Sequence, residues 1–113
     1  MTEMAGLLDM LKLARRMLDN AKPFRAALAR RTVEGRAGAG LVTARMNGNG
    51  ELLGLEFAAS VMNSGDRDML ADLIIAAVND ARKRSEALKI EAIKEMTGGI
   101  DLSAFGIDPA GWI

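Results

Sequence analysis

The longest regular pattern in the sequence is an apolar repeat with helical spacing, which begins after Ser64-Gly65-Asp66 and continues to about Thr97. Its members, with Ser85 filling one gap, are Leu70, Leu73, Ala77, Ala81, Leu88, Ala92 and Met96. Asp66 is a suitable N-cap, and Gly98-Gly99 supplies a C-terminal stop. Such a helix would be about 48 Å long. A compact chain of 113 residues has a radius of gyration of only about 13 Å, so this helix must project beyond a single core.

A second helical repeat occupies the first part of the chain. Its apolar residues, flanked by Met10, Met17 and Phe24, are Leu7, Leu11, Ala14, Leu18, Ala21 and Leu28. Pro23 interrupts this repeat. Because proline lacks a backbone donor and clashes with the carbonyl four residues earlier, we expect a kink or break near Asn20 to Lys22.

Between the two helices the apolar spacing changes from helical to alternating. The alternating residues are Val42, Ala44, Met46, Leu53, Leu55 and Phe57. The sequence Asn47-Gly48-Asn49-Gly50 separates the two sets and favours a tight turn. Residues 41–58 are therefore predicted to form a β-hairpin. Thr32 to Arg36, with a less complete pattern, is the candidate third strand, joined through a turn at Gly38-Ala39-Gly40.

The sequence thus predicts an α+β fold with a long N-terminal helix, a small antiparallel three-stranded sheet and a long C-terminal helix. Residues 1–99 are expected to form a single domain. Residues 100–113 contain turn-forming Gly106, Asp108-Pro109 and Gly111 and the single Trp112, so we predict an irregular C-terminal tail.

The composition excludes several classes of catalytic and metal site. The chain has no Cys, and therefore neither a disulfide nor a thiolate metal site, and it also has no His or Tyr. Without Cys and His, the Ser-His-Asp and Cys-His forms of nucleophilic catalysis are impossible. No arrangement of carboxylates and lysines takes their place. We predict no catalytic residue, no cofactor, no bound metal and no small-molecule substrate, so the protein is not expected to be an enzyme.

The sequence gives no indication of export or membrane insertion. Met1-Thr2-Glu3-Met4 lacks the basic start of a signal peptide. The longest unbroken apolar run, Leu73 to Val78, is far shorter than the ~20 residues of a spanning helix. We expect a cytoplasmic protein with no membrane partner. A basic amphipathic helix at residues 4–31 would also suit a membrane surface, although it has no Trp and only one Phe.

The net charge is zero, with 15 basic and 15 acidic residues, yet the charges are unevenly distributed. Residues 12–31 contain seven basic residues against Asp19, a net charge of +6, whereas residues 46–81 have a net charge of −5. A second basic group, Arg82-Lys83-Arg84 with Lys89, lies on the long helix, where consecutive side chains point about 100° apart. Such residues either contact nucleic-acid phosphates or form the solvated face of an amphipathic helix.

Three further features have ordinary structural interpretations. Gly38-Ala39-Gly40 leads into a strand rather than a helix, so it is predicted to be a turn and not a phosphate-binding loop. Asp66, Asp68 and Asp72 match the acidic residues of a helix start better than a calcium site. The eight Met residues are predicted to fill the core and interfaces.

The projecting helices predict self-association. Their apolar stripes would lie in water in a monomer, so we expect a homodimer. The same helices would also suit a second role, as the docking groove of a protein-binding adaptor. The two roles differ in their salt dependence, because phosphate contacts weaken steeply with salt and apolar contacts do not.

Several short motifs, in this order and spacing, resemble the YbaB/EbfC family of nucleoid-associated proteins, small bacterial dimers that bind DNA. Within residues 7–100 they are Val33-Glu34-Gly35, Gly38-Ala39-Gly40-Leu41-Val42, Asn47-Gly48, Leu73 through Asn79-Asp80-Ala81, and Glu95-Met96-Thr97-Gly98-Gly99. The resemblance implies a tweezer-like homodimer whose helices project from a shared sheet. It also implies DNA binding with little sequence preference, a location in the nucleoid, and a role in nucleoid organisation or gene expression.

With this resemblance, phosphate contact becomes the favoured interpretation of the basic residues. The predicted DNA-binding residues are Lys12, Arg15, Arg16, Lys22, Arg25, Arg30 and Arg31, followed by Arg82, Lys83, Arg84 and Lys89. The aromatic residues are scattered and form no platform for unpaired bases, which favours double-stranded DNA. Pro23 and the tail after Gly99 depart from the family's pattern.

Overall fold

In the described part of the chain, one antiparallel sheet lies between a long N-terminal helix and two C-terminal helices. The order is α1 (Thr2–Ala29), β1 (Thr32–Ala37), β2 (Val42–Asn47), β3 (Leu52–Phe57), α2 (Ala59–Asn63) and α3 (Arg67–Met96). This computed structural model describes residues 2–96 and Gly98, apart from the side chains of residues 2–5, 17 and 20. The α+β class, the three strands and both long helices are confirmed. The predicted irregular tail, residues 100–113, lies outside the described residues.

The sheet has the strand order β1-β2-β3, and both strand pairs are antiparallel. Gly35 lies opposite Ala44, which lies opposite Leu55, so the apolar residues of the three strands share one face. The register shifts by one residue between Arg45 and Met46, which leaves Leu53 as the extra residue of a bulge in β3. Residues 38–41 form the first turn, as predicted.

Helix α3 packs across β1 and β2 and closes the core on one face of the sheet. The buried residues are small, with Ala77 and Ala81 on α3 against Ala44 and Val42 on β2. At Gly35, an added Cβ would collide with the backbone of Ala77 and Ala81. The sheet and the helix are therefore in backbone contact at this point, and only glycine fits there.

The start of α3 confirms the predicted N-cap. The backbone N–H of Met69 donates to Oδ1 of Asp66 over 3.0 Å, which satisfies one of the unpaired donors of the first turn. Gly98, just past the end of the helix, has a φ of 69°. This left-handed conformation matches the predicted stop.

Helix α1 runs through Pro23 as one helix, so of the kink or break predicted near Asn20 to Lys22, the break is wrong and the kink stays a prediction. The chain continues as a helix because tertiary contacts flank the proline. On its C-terminal side Leu28 is buried, and Phe24 packs with Leu13 against Ile93 near the end of α3. The side chains of residues 6–12 are exposed, so this part of α1 projects from the body of the molecule.

The molecule is elongated, as the length of the predicted helices requires. Its extents are 70 × 24 × 16 Å, and its radius of gyration is 19.1 Å, well above the ~13 Å of a compact chain of this length. The five-residue helix α2 was not predicted. Within the described residues, no helix has both the length and the apolar character needed to cross a membrane.

Candidate nucleic-acid interface

All eleven basic residues predicted to bind DNA lie at the surface. Ten are exposed and Lys89 is half-buried. On α1, the inner face carries Phe24 and Leu28. At 100° per residue, Lys12, Arg15 and Lys22 point away from that face, whereas Arg16 and Arg25 point to opposite sides. The outward row therefore spans about 15 Å along the helix axis, with Asp19 as its one acidic member.

The turn between β2 and β3 holds the C-terminal end of α1. The backbone N–H of Gly48 lies 3.0 Å from the carbonyl oxygens of both Leu28 and Arg31. The side-chain amide of Asn49 donates to the carbonyl of Arg25 over 2.9 Å. These bonds join the last turn of α1, and the residues just after it, to the hairpin; the Leu28 carbonyl also accepts the Arg31 N–H over 3.2 Å. A Cβ at position 48 would lie 3.0 Å from the Leu28 carbonyl oxygen, so this approach favours glycine.

Asn47 and Ser85 connect the same turn to α3. Oδ1 of Asn47 accepts hydrogen bonds of 3.0 Å from the backbone N–H groups of Asn49 and Glu51. Ser85, only 2% exposed, donates its hydroxyl to the Asn47 carbonyl oxygen over 2.7 Å. The turn is thus fixed to the sheet, to α3 and to the end of α1, and it sets the direction in which α1 projects.

The basic residues of α3 point in different directions, as their spacing predicts. Arg82 lies beside Glu86, with 4.0 Å between Nε and Oε1, while Lys83 points outward. Arg84 turns to the β1 side, where its Nε donates to Oδ2 of Asp80 over 3.2 Å. The structure therefore does not unite the three consecutive residues in one phosphate site.

Asp80 joins α3 to β1. Its Oδ2 accepts the backbone N–H of Arg36 over 3.0 Å as well as the Arg84 guanidinium. The Arg36 N–H, followed by Arg84, holds the pKa of the Asp80 carboxyl below its ordinary value. The sequence predicts polar packing by Asn79-Asp80 at the junction of helix and sheet, and for Asp80 this contact confirms it.

A groove brings two of the α3 residues to the turn that anchors α1. Arg82 and Lys89 line it on α3, Leu52 lines it on β3, and Gly48 to Gly50 form its end, with a volume of about 390 Å³. Arg25 and Arg31 belong to the segment held by the same turn. Around residues 47–50 the structure therefore brings together four of the eleven predicted residues, Arg25 and Arg31 through their backbone carbonyls and Arg82 and Lys89 through the groove.

The opposite face of the sheet contains basic residues that were not predicted as site residues. Arg36 pairs with Glu34 at 2.8 Å, and Arg45 lies opposite Glu34 across β1 and β2. Glu56 lies opposite Thr43 on the same face. Since its acidic and basic side chains balance, this face lacks the excess positive charge of α1.

Among the residues that the structure describes, none covers the apolar side of the molecule at β3. Helix α3 packs over β1 and β2 but leaves Leu52 and Phe57 exposed, and Ile75 on α3 is 59% exposed. Ile75 lies two turns before Arg82, which shares a groove with Leu52, so Ile75 points towards β3. We call Leu52, Phe57 and Ile75, with half-buried Leu55 and Val78, the β3 patch.

The predicted structural roles of the other motifs agree with their geometry. Gly38, Ala39 and Gly40 all have positive φ, and they form a turn between strands. Asp66 caps α3 rather than pointing towards other acidic residues. Among residues 2–96 and Gly98, no group of three or more acidic side chains has the geometry of a metal site.

Comparison with known proteins gives a consistent result over nearly the whole chain. The model of the YbaB/EbfC DNA-binding family matches residues 4–100. A nucleoid-associated protein of Gluconobacter oxydans is 39% identical over 101 residues, which are 89% of this chain and 94% of the relative. A nucleoid-associated protein of Afipia carboxidovorans is 36% identical over 92% of this chain and 99% of its own length.

The fold also matches a solved structure. The crystal structure of an uncharacterized protein from Helicobacter pylori superposes with a TM-score of 0.61, covering 85% of this chain and 95% of that one. The sequence identity is 23%, so this likeness concerns the fold alone.

Proposed function

This chain belongs to the YbaB/EbfC DNA-binding family, and on that premise we propose that it is a nucleoid-associated protein that binds duplex DNA with little sequence preference. The single observation that carries the proposal is the outward row on α1, which combines net positive charge with a fixed direction. Its relatives are named nucleoid-associated proteins, and we infer the same location in the cell and a role in nucleoid organisation or gene expression.

The outward row suits phosphate contact without base recognition. Lys12, Arg15 and Lys22 are exposed. Lys12 and Arg15 are one helical turn apart, and Lys22 lies two turns further on, with Asp19 on the turn between. Basic side chains in such a row neutralise phosphates and release condensed counterions, which gives affinity that is independent of sequence. Reading base edges would instead require side chains that enter a groove of the duplex, rather than a row that lies along the backbone.

The basic residues around the β2–β3 turn form the second part of the proposed interface. Arg25, Arg30 and Arg31 continue the positive charge of α1 to the turn, and Arg82 and Lys89 extend it onto α3. Lys83 points outward and is available to a second strand of phosphates. Arg84 is expected to contribute least, because Asp80 already accepts its guanidinium.

We infer that the active species is a homodimer formed through the β3 patch. In the strand order β1-β2-β3, β3 is an edge strand with an exposed apolar face. Edge strands of this kind pair readily with another chain, and exposed patches of several large apolar residues mark interaction sites. Pairing there would place two copies of α1 on one body, as in tweezers.

A protein-binding adaptor is the second candidate function. It is favoured by one observation, the exposure of Leu7, Leu8, Met10 and Leu11 on the projecting part of α1. In the DNA-binding proposal, these residues adjoin the basic row without contacting phosphate. Neither candidate requires catalysis or a cofactor.

Binding to a random-sequence duplex across a salt series tests the proposal. We expect affinity to fall steeply as salt rises, and the Arg15→Gln/Lys22→Gln double variant to lower the salt slope by about one for each phosphate contact removed. Arg45→Gln is the matched control, because it removes an exposed charge from the balanced face of the sheet.

Three results would contradict it. If the wild-type chain does not bind duplex DNA at low salt, the DNA-binding proposal fails for this protein. If Arg45→Gln lowers the slope as much as an α1 substitution, the interface is not on α1. Salt-independent capture of a protein through Leu7 and Leu11 would favour the adaptor.

A further inference from the structure

A second groove, between α1 and α3, is open beside the point where the chain leaves α3. Phe24, Ala27 and Leu28 line it on α1, and Ala92 and Met96 line it on α3, with Arg31 and Glu95 at its rim. Its volume is about 370 Å³. The small side chains of Ala27 and Ala92 leave a recess that is apolar at its base. We call this the α1–α3 groove.

Helix α3 ends at this groove. Met96 lines the groove and is also the last residue of α3. The N–H of Gly98 donates to the Glu95 carbonyl over 3.3 Å, and Gly98 is in the left-handed conformation. A residue with this conformation after a helix ends the helix and redirects the chain. The segment that follows therefore starts within a few residues of the groove.

The tail, residues 100–113, has the composition of a segment that binds an apolar surface. The large apolar residues of the tail are Ile100, Leu102, Phe105, Ile107, Trp112 and Ile113. The tail also contains Asp101 and Asp108 and no basic residue, whereas residues 12–31 have a net charge of +6. Segments that stay unfolded have few apolar residues, unlike this one.

We propose that the tail docks in the α1–α3 groove of its own chain, with the Trp112 indole in the recess and the two carboxylates beside the arginines at the end of α1. There the carboxylates compete with DNA phosphates for Arg31, at the rim of the groove, and for the neighbouring Arg30. An extended chain covers about 3.3 Å per residue, so the tail reaches the whole groove with slack. The competition with DNA rests on the proposed function, whereas the docking does not.

Trp112 is the only tryptophan of the chain, so its fluorescence reports docking without a label. We expect the full-length protein, without DNA, to show blue-shifted emission and reduced quenching by iodide. Ala27→Glu places a charge in the groove and should shift the emission to that of an exposed indole. Ala26→Glu is the matched control, because Ala26 is also exposed on α1 but does not line the groove.

Two fluorescence results overturn the docking. One is wild-type emission equal to that of a free indole, and the other is an equal response to Ala26→Glu and Ala27→Glu. A dilution series identifies the occupant. Emission that is independent of protein concentration supports docking on the same chain. Emission that becomes that of an exposed indole on dilution assigns the groove to a second copy and also overturns the proposal.

Duplex DNA affinity then tests the competition. Asp101→Asn/Asp108→Asn keeps the apolar tail and removes its charge, so it should raise affinity at low salt by about threefold, the size expected from two exposed ion pairs. The gain should disappear at high salt. Unchanged affinity overturns the competition. If no variant binds DNA while Trp112 remains protected, the proposed function fails and the docking stands.

Discussion

Gly35 sets the distance between α3 and the sheet, because no side-chain atom fits between its Cα and the backbone of Ala77 and Ala81. We therefore expect Gly35→Ala to lower the free energy of unfolding by about 3 kcal/mol or more, at the upper end of the cost of overpacking a core. Chemical denaturation monitored by circular dichroism measures this change.

Gly54→Ala is the control for this prediction. Gly54 also lies in the sheet, but an added Cβ there meets only the end of the Arg45 side chain, at 3.8 Å. The substitution should change the stability by no more than about 1 kcal/mol. Equal effects of the two substitutions would mean that α3 does not approach β1 as closely as described.

Asp80 links stability to pH at the same helix–sheet contact. Its folded-state pKa is lowered, first by the Arg36 N–H and then by Arg84. The contribution of Asp80 to folding is therefore complete above the ordinary Asp pKa of about 3.9 and is lost as the pH falls through the lower, folded value. The difference in urea midpoint between wild type and Asp80→Asn should be constant near neutral pH and shrink in acid. A difference that does not change with pH would show that Asp80 acts without its charge.

At the scale of elements, α1 contains a proline that its tertiary contacts tolerate. Pro23 leaves the carbonyl of Asp19 without its intrahelical donor. Pro23→Ala should restore this bond and favour the helix by up to about 3 kcal/mol, which we expect to slow amide hydrogen exchange in α1. Lys22→Ala, at the neighbouring exposed position, is the control and should change exchange little. Faster exchange in Pro23→Ala would mean that the anchored geometry of α1 depends on the proline.

The elements whose apolar residues recur with a clear spacing were predictable from the sequence, and those too short to show such a spacing were not. Alternation on both sides of Asn47-Gly48-Asn49-Gly50 predicted the hairpin, and the three- and four-residue repeat predicted α3 with its Asp66 cap. Helix α2, Ala59–Asn63, is too short to show a period. Of the kink or break predicted near Asn20 to Lys22, the break is wrong, because the effect of Pro23 on the backbone was considered without the burial of Leu28.

The sequence predicted which residues carry the positive charge of the candidate site, but not how the fold arranges them in space. The sequence locates the positive charge on α1 and indicates that Arg82-Lys83-Arg84 must diverge. It does not indicate that Gly48 and Asn49 bind the backbone of α1, because these contacts join residues about 20 positions apart and involve carbonyl groups that every residue carries. The grouping of Arg25, Arg31, Arg82 and Lys89 follows from those contacts.

At the scale of the molecule, an elongated chain with one apolar side predicts a specific mode of association. We expect wild type to sediment as a dimer of the 12.0 kDa chain, and Ile75→Asp to sediment as a monomer, because a charge in the β3 patch would be buried on pairing. Ile75 is already exposed, so the fold should persist. Leu18→Asp, at a position 70% exposed on α1, is the control and should remain dimeric. A monomeric Leu18→Asp with a dimeric Ile75→Asp would move the interface to α1.

The hydrogen bonds from the β2–β3 turn to α1 affect which substitutions such a protein can accept during evolution. The turn grips three main-chain carbonyls, those of Arg25, Leu28 and Arg31, and a carbonyl is inherited whatever side chain it accompanies. Substitutions of the outward side chains of α1 therefore leave intact the hydrogen bonds that hold the helix to the turn. If α1 binds DNA as proposed, a lineage can raise or lower the affinity one residue at a time, while the hairpin keeps the direction of the helix unchanged.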